Sequence, residues 1–200
     1  MFYKILKVIF RFTFNLLFSP KVIGAENVPK EGAMIMAANH MSNWDPPILG
    51  TYLPRTVGYM AKEELFKPAI AGAIIKSLNA FPVKRGASDR GAIKMALNIL
   101  KKGLCLGIFP EGTRSRDGKL HKAQAGVSLI AAMSKAPVVP TALIGTNKIW
   151  SKEEKFPQLT IVFGEPIYYE GKSNDKAALE EFSQEIMKKI ENLIKLHSKC

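Results

Sequence analysis

Three short stretches hold residue types that can do chemistry together, and each follows an apolar run. The first is "NHMSNWDP" (39–46), which places His40 and Asp45 five positions apart after "AMIMAA" (33–38). Histidine titrates near neutrality and takes a proton from a hydroxyl when a second group fixes its tautomer and stabilises the imidazolium. A carboxylate serves that purpose, and a tight loop of four residues can turn Asp45 back toward His40. Asp45 followed by Pro46 is also a good helix start, an N-cap with proline at the first helical position. One conformation can satisfy both roles, so the spacing alone leaves capping and catalysis open.

The second stretch is "FPVKRG" (81–86), where Lys84 and Arg85 leave the end of a short strand. Arginine grips phosphate bidentately; a solvated surface pair is the plainer reading. The third is "IFPEGTRSRDG" (108–118). Its turn closes an apolar strand with Glu111 and then presents Gly112, Thr113 and Arg114. Exposed backbone N–H groups and an arginine bind phosphate, while Glu111 could accept from a substrate hydroxyl or orient Arg114. An exposed turn is again the plainer reading. Residues 84–122 hold ten basic residues against three acidic ones, Asp89, Glu111 and Asp117, so this side is expected to be strongly positive.

The elements that must position these clusters alternate along the chain. Strands are predicted over 33–38, 57–61, 80–83, 104–109, 138–144 and 159–163, and helices over 46–53, 63–78, 88–101, 122–135 and 175–197. Uniformly apolar strands separated by helices predict an α/β fold, a mainly parallel sheet covered by helices on both faces. In such sheets ligands gather at the carboxyl ends of the strands, where all three clusters fall. No nucleophile elbow, P-loop, dinucleotide fingerprint or metal-type His/Cys cluster is present. Cys105 lies within an apolar run and reads as core. A base without a protein nucleophile implies direct attack by a substrate hydroxyl on an activated carbon.

Composition narrows the partners. The 200 residues are 47% hydrophobic with mean hydropathy near zero (+0.02), which excludes a disordered chain and a polytopic membrane protein. A net charge of +12 points to anionic partners, either nucleic acid or a phosphate-bearing membrane or substrate. Two distant cysteines, Cys105 and Cys200, form no disulfide framework, so a reducing compartment is expected. The first 20 residues, "MFYKILKVIFRFTFNLLFSP", are apolar apart from a stripe of Lys4, Lys7, Arg11 and Asn15 at helical spacing. Three charges in the first eleven residues disfavour a spanning helix, which needs about 20 mostly uncharged residues, and a signal peptide. The pattern predicts an amphipathic membrane-interface helix over 1–20, its basic stripe toward anionic headgroups, followed by one α/β domain over 21–200. The final helix carries Leu179, Phe182, Ile186, Ile190 and Leu193 at core spacing. No repeat or linker divides the chain.

Taken together, the clusters resemble the blocks of the glycerolipid acyltransferase family, specifically the bacterial 1-acylglycerol-3-phosphate acyltransferases. "NHMSNWDP" matches the N-H-x-S-x-x-D block, "NAFPVKRG" resembles the second block and "FPEGTRS" the third. "APVVPTALIG" (136–145) resembles the fourth, with Pro140 at the matching position. The resemblance covers roughly residues 20 to 170, in order. It implies that His40 is the general base for the sn-2 hydroxyl of lysophosphatidic acid, oriented and charge-stabilised by Asp45. The hydroxyl attacks the thioester of acyl-CoA or acyl carrier protein, giving phosphatidic acid and a free thiol. The resemblance further implies that Arg85, with Lys84, holds the acceptor phosphate, that Glu111, Gly112, Thr113 and Arg114 position the glycerol phosphate, and that the block around Pro140 shapes the acyl or donor side. No cofactor and no metal are expected, no nucleic acid is an expected partner, and the expected location is the cytoplasmic face of the cell membrane. The same chemistry on glycerol 3-phosphate or another lysophospholipid is the near alternative. A non-enzymatic basic protein binding membrane or nucleic acid would account for the charge but leave the strand-end clusters unexplained.

Overall fold

The computed structural model describes residues 2–77, 79–83, 90–115, 117–152 and 154–198. Among the described residues seven strands form one sheet: β1 (Lys21–Ile23), β2 (Met34–Ala38), β3 (Val57–Lys62), β4 (Ala80–Val83), β5 (Cys105–Ile108), β6 (Val138–Ile144) and β7 (Thr160–Phe163). Their order is β1-β7-β6-β2-β5-β3-β4. Every described pairing between them is parallel except β6 with β7. Among the described residues the α-helices are α1 (Phe2–Phe18), α2 (Asp45–Tyr52), α3 (Ala69–Ser77), α4 (Arg90–Lys101), α5 (Gly126–Ser134) and α6 (Lys176–His197). This is the α/β architecture that the apolar strands imply.

The central strand shows why those runs are apolar throughout. Successive side chains of a strand point to opposite faces, and both faces of β2 are covered. Met34, Met36 and Ala38 pack beneath α1 and α2 with Phe14, Phe18, Ile48 and Leu49. Ile35 and Ala37 pack on the other face with Ile130, Phe182 and Ile186 of α5 and α6. Because β2 has β5 and β6 as neighbours, the loop leaving its carboxyl end emerges over the middle of the sheet.

Several expected boundaries shift, each for a local reason. The helix expected over 63–78 is a 3₁₀ turn (Glu63–Phe66) followed by α3. Pro68 disfavours helical geometry at Lys67 and has no N–H to continue the ladder. The helix expected over 122–135 starts only at Gly126, because the Gln124 N–H is drawn to the Pro110 carbonyl at 2.8 Å. β1 was not anticipated. It is a three-residue edge strand beside β7, too short to carry a pattern.

The first helix forms as expected, and its polar stripe meets α2. Lys7 Nζ donates to the Leu53 carbonyl at 2.6 Å, and Arg11 lies 5.8 Å from the Tyr52 ring centroid. The Tyr52 hydroxyl donates to Asn15 Oδ1 at 2.6 Å. Three members of the polar stripe thus find partners at α2, while Lys4, Arg11 and Asn15 remain exposed. Burial, and then the Arg11 charge, pull the Lys7 ammonium below its ordinary value. The outward face carries Ile5, Val8, Ile9, Phe12 and Leu16, with Phe12 and Leu16 more than 70% exposed. Among the described residues no helix is long and apolar enough to cross a membrane.

Candidate active site

The chain leaves β2 through Asn39, whose buried side chain adds one more rung to the sheet. Its Nδ2 donates to the Leu143 carbonyl at 2.9 Å, and the Leu143 N–H donates to its Oδ1 at 2.7 Å. His40, the next residue, is therefore launched from a fixed point. Its ring stacks on Phe109 with centroids 4.1 Å apart and 22° between planes. Its Nδ1 lies 2.8 Å from Asp45 Oδ2. Asp45 is fully buried, and the same oxygen accepts the N–H groups of Met41 and Ser42, each at 2.7 Å. With Nδ1 spent on the carboxylate, the neutral ring carries its proton there and leaves Nε2 as the acceptor.

Asp45 does not cap the helix it begins. The N-cap is Trp44, and no side chain caps that end. The reason lies in the sequence: Pro46 and Pro47 have no N–H, and the Ile48 N–H is already taken by the Trp44 carbonyl. With no donor ahead of it, the carboxylate turns back onto the 40–42 loop. Trp44 is held edge-on between Phe14 of α1 and Trp150, so α1 also braces this loop.

Glu111 sits behind the histidine, with both carboxylate oxygens on backbone amides. It is 4% exposed; one oxygen accepts the His40 N–H at 3.0 Å and the other accepts the His121 N–H at 2.9 Å. The His40 carbonyl in turn accepts the Ser115 N–H at 2.8 Å. A second His/Asp pair closes the circuit: Asp117 Oδ1 accepts the Ser115 hydroxyl at 2.9 Å and lies 3.1 Å from His121 Nε2. Hydrogen bonds from the Lys119 amide, the Ser115 hydroxyl and His121 hold the Asp117 carboxyl down to about 2. Asn39, Phe109, Ser115, Asp117 and His121 were not singled out from sequence. Asn39 lies within the first quoted stretch, and Phe109, Ser115 and Asp117 lie within the third, which was the available signal.

His40 opens onto a cavity of about 920 Å³ whose rim includes Asn43, Gly112, Thr113 and Gln124. Its walls are apolar, built from residues such as Tyr59, Met60, Ile75, Ile93, Ile108 and Ile130. Gly112 holds φ +70°, and a Cβ there would meet the Gln124 amide at 2.5 Å. Arg114 is exposed on the same loop and lies outside the cavity lining. Lys84 and Arg85 fall outside the described residues; Val83, just before them, lines the cavity. Pro140 is buried within β6 and is not part of the cavity lining. Cys105 is buried core, and burial pushes its thiol up to about 12.

The fold and site define an α/β protein with a mainly parallel sheet and a His/Asp pair, suited to taking a proton from a hydroxyl, beside a cavity with apolar walls. The family model described as Acyltransferase matches residues 19–144, and the chain belongs to that family. Among its relatives is the 1-acyl-sn-glycerol-3-phosphate acyltransferase of Bacillus subtilis (strain 168), 36% identical over 181 residues, which span 86% of this chain and 88% of that protein. The enzyme of the same name from Streptococcus pneumoniae (strain ATCC BAA-255 / R6) is 33% identical over 135 residues, 66% of this chain and 49% of that one. The crystal structure of the 1-acyl-sn-glycerophosphate (LPA) acyltransferase PlsC from Thermotoga maritima matches with a TM-score of 0.77 at 30% identity, covering 96% of this chain and 79% of its own.

Proposed function

We propose that this acyltransferase moves a fatty acyl group from an acyl thioester, of coenzyme A or acyl carrier protein, to the sn-2 hydroxyl of 1-acylglycerol 3-phosphate. The observation that carries the reading is the buried Asp45 carboxylate 2.8 Å from His40 Nδ1, beside a cavity with apolar walls. The hydroxyl gives its proton to His40 Nε2 as its oxygen attacks the thioester carbonyl. Asp45 offsets the imidazolium charge. The tetrahedral intermediate then expels the sulfur, which recovers the proton from His40. Phosphatidic acid and a free thiol leave, with no acyl-enzyme formed.

Arg85, with Lys84, holds the acceptor phosphate, and Gly112, Thr113 and Arg114 complete that side. Val83 in the cavity lining and Thr113 at its rim support this reading. Glu111 acts from behind, as a positioning residue for the His40 backbone. No resident cofactor or metal takes part in these steps. The exposed apolar face of α1 rests in the lipid interface on the cytoplasmic face of the membrane, where an anionic lipid substrate and a thioester donor both have access.

Purified protein assayed for thiol release against lysophosphatidic acid, glycerol 3-phosphate and other lysophospholipids tests the reading. Lysophosphatidic acid is expected to be the preferred acceptor. His40→Ala is expected to lose at least about 10²-fold in kcat with its fold intact. Preference for another acceptor, or near wild-type turnover in His40→Ala, overturns the assignment it concerns.

A further inference from the structure

The catalytic cavity is not the only concavity at the carboxyl edge of the sheet. On the far side of the 39–45 loop lies a groove of about 630 Å³ between the 118–123 segment and α6. Met41 lines it while the adjacent His40 lines the catalytic cavity. Leu120, Met187 and Ile194 give it apolar surface, and four lysines, Lys119, Lys122, Lys188 and Lys195, stand on it against two glutamates. Both glutamates are engaged along α6: Glu191 with Lys195 at 2.6 Å and Glu180 with the Gln184 amide at 3.2 Å. Asp117, next to the groove, is committed to Ser115 and His121. Among the described residues Lys119, Lys122 and Lys188 have no carboxylate within salt-bridge distance. The groove is thus positive, of small-ligand size (about 300–1,000 Å³), and apolar enough for a flat ring.

We propose that this groove binds the phosphorylated nucleotide head of the acyl donor, the 3′-phospho-ADP portion of coenzyme A. The proposal rests on the thioester-dependent function given above and assigns the donor its own site. The purine lies on Met187, Ile194 and Leu120, Lys119, Lys122 and Lys188 face the phosphates as point charges, and the pantetheine arm passes Met41 to bring the thioester to His40. The wall is in register with the base: the His121 amide holds one oxygen of Glu111, whose other oxygen holds the His40 amide. A carrier protein would spread its contacts over a wider surface than this cleft presents, so the nucleotide is the better fit.

The test is a double charge reversal, Lys119→Glu with Lys122→Glu, compared with Lys101→Glu with Lys102→Glu, exposed at the end of α4 and in the turn that follows, at the amino-terminal end of β5. Titration of wild type with coenzyme A and with adenosine 3′,5′-bisphosphate, without acceptor, is expected to show binding that the groove variant weakens about tenfold or more. Pantetheine, which has no phosphate, is expected to bind weakly to both. KM for acyl-CoA is expected to rise by a similar factor, more at low salt, while kcat and the acceptor KM stay close to wild type. The control pair is expected to change none of these. An unchanged coenzyme A affinity overturns the proposal, and so does a rise confined to the acceptor KM or to acyl carrier protein as donor. Groove-dependent coenzyme A binding without transfer to lysophosphatidic acid supports the groove and overturns only the acceptor assignment.

Discussion

Replacing Asp45 by asparagine removes a charge while keeping the outline of the side chain, so it isolates the contribution of the carboxylate. Oδ2 receives three donors: His40 Nδ1 at 2.8 Å and the Met41 and Ser42 N–H groups at 2.7 Å each. An amide oxygen accepts from the same backbone groups, so the loop keeps its turn. Stabilisation of the imidazolium that forms as His40 takes the substrate proton is lost. With charge centres about 4 Å apart at an effective dielectric of about 20, that interaction is worth about 4 kcal/mol, or about a thousandfold in kcat. Screening by water does little to reduce it, since the side chains of His40 and Asp45 are only 12% and 0% exposed. His40 is neutral before proton transfer, so substrate binding loses little and KM is expected to move by less than about threefold.

A smaller structural cost accompanies the change. Asp45 Oδ1 is buried and, among the described residues, accepts no hydrogen bond. An amide nitrogen there becomes an unsatisfied donor, costing about 1–3 kcal/mol of stability. The assay is thiol release from acyl-CoA with lysophosphatidic acid, paired with thermal unfolding of the same sample. A variant that retains more than about a tenth of wild-type kcat refutes the reasoning, because the carboxylate would then shape the loop without stabilising the charged ring.

Two further outcomes test the scaffold around the base. Glu111→Gln leaves one oxygen for one amide but sets an NH₂ group against the other N–H. It is expected to cost about 1–3 kcal/mol in stability and to lower kcat more than it raises either KM; a purely raised acceptor KM would instead make Glu111 a substrate contact. Asp117 is held at about 2, below the ordinary 3.8, so the folded state favours its ionised form. Its stabilisation is in place above pH 4 and is lost as pH falls from 3.8 toward 2. Urea titrations between pH 5 and 2 are expected to fall less steeply for Asp117→Asn than for wild type, and parallel curves would show that the network does not hold the carboxylate.

What could be read from the sequence follows from how local each cause is. β2, β5 and β6 were legible because burial on both faces leaves an unbroken apolar run, whereas β1 is a three-residue edge with partly exposed side chains and shows no such run. Pro68 was visible and still overlooked, because the apolar periodicity on either side of it hides the break. His40 and Asp45 were legible because their chemistry closes over five residues. The role of Glu111 was not, because its acceptors meet backbone amides 71 and 10 positions away, and an amide leaves no mark in a sequence. Periodicity likewise grouped Lys7, Arg11 and Asn15 on one stripe of α1 without saying which way it turns. The Leu53 carbonyl and the Tyr52 side chain decide that, and neither belongs to α1.

The base is held chiefly by its backbone, and this bears on how the loop after β5 can vary. The His40 N–H is fixed by Glu111 and its C=O by Ser115, while Asn39 pins the preceding residue to β6. The ring itself is held by Asp45 and Phe109. A ring aimed at a reacting oxygen tolerates little displacement, since about 1 Å of misplacement can cost about 10²-fold. A change at Glu111 or Ser115 therefore reaches the proton-transfer step even where the altered side chain meets no substrate. The 118–123 segment forms one wall of the basic groove. Glu111 holds both the His40 amide and the His121 amide of the groove wall, whereas the Lys119 and Lys122 side chains stand outside these hydrogen bonds, so a donor lacking its anionic head is expected to lose affinity with kcat little changed.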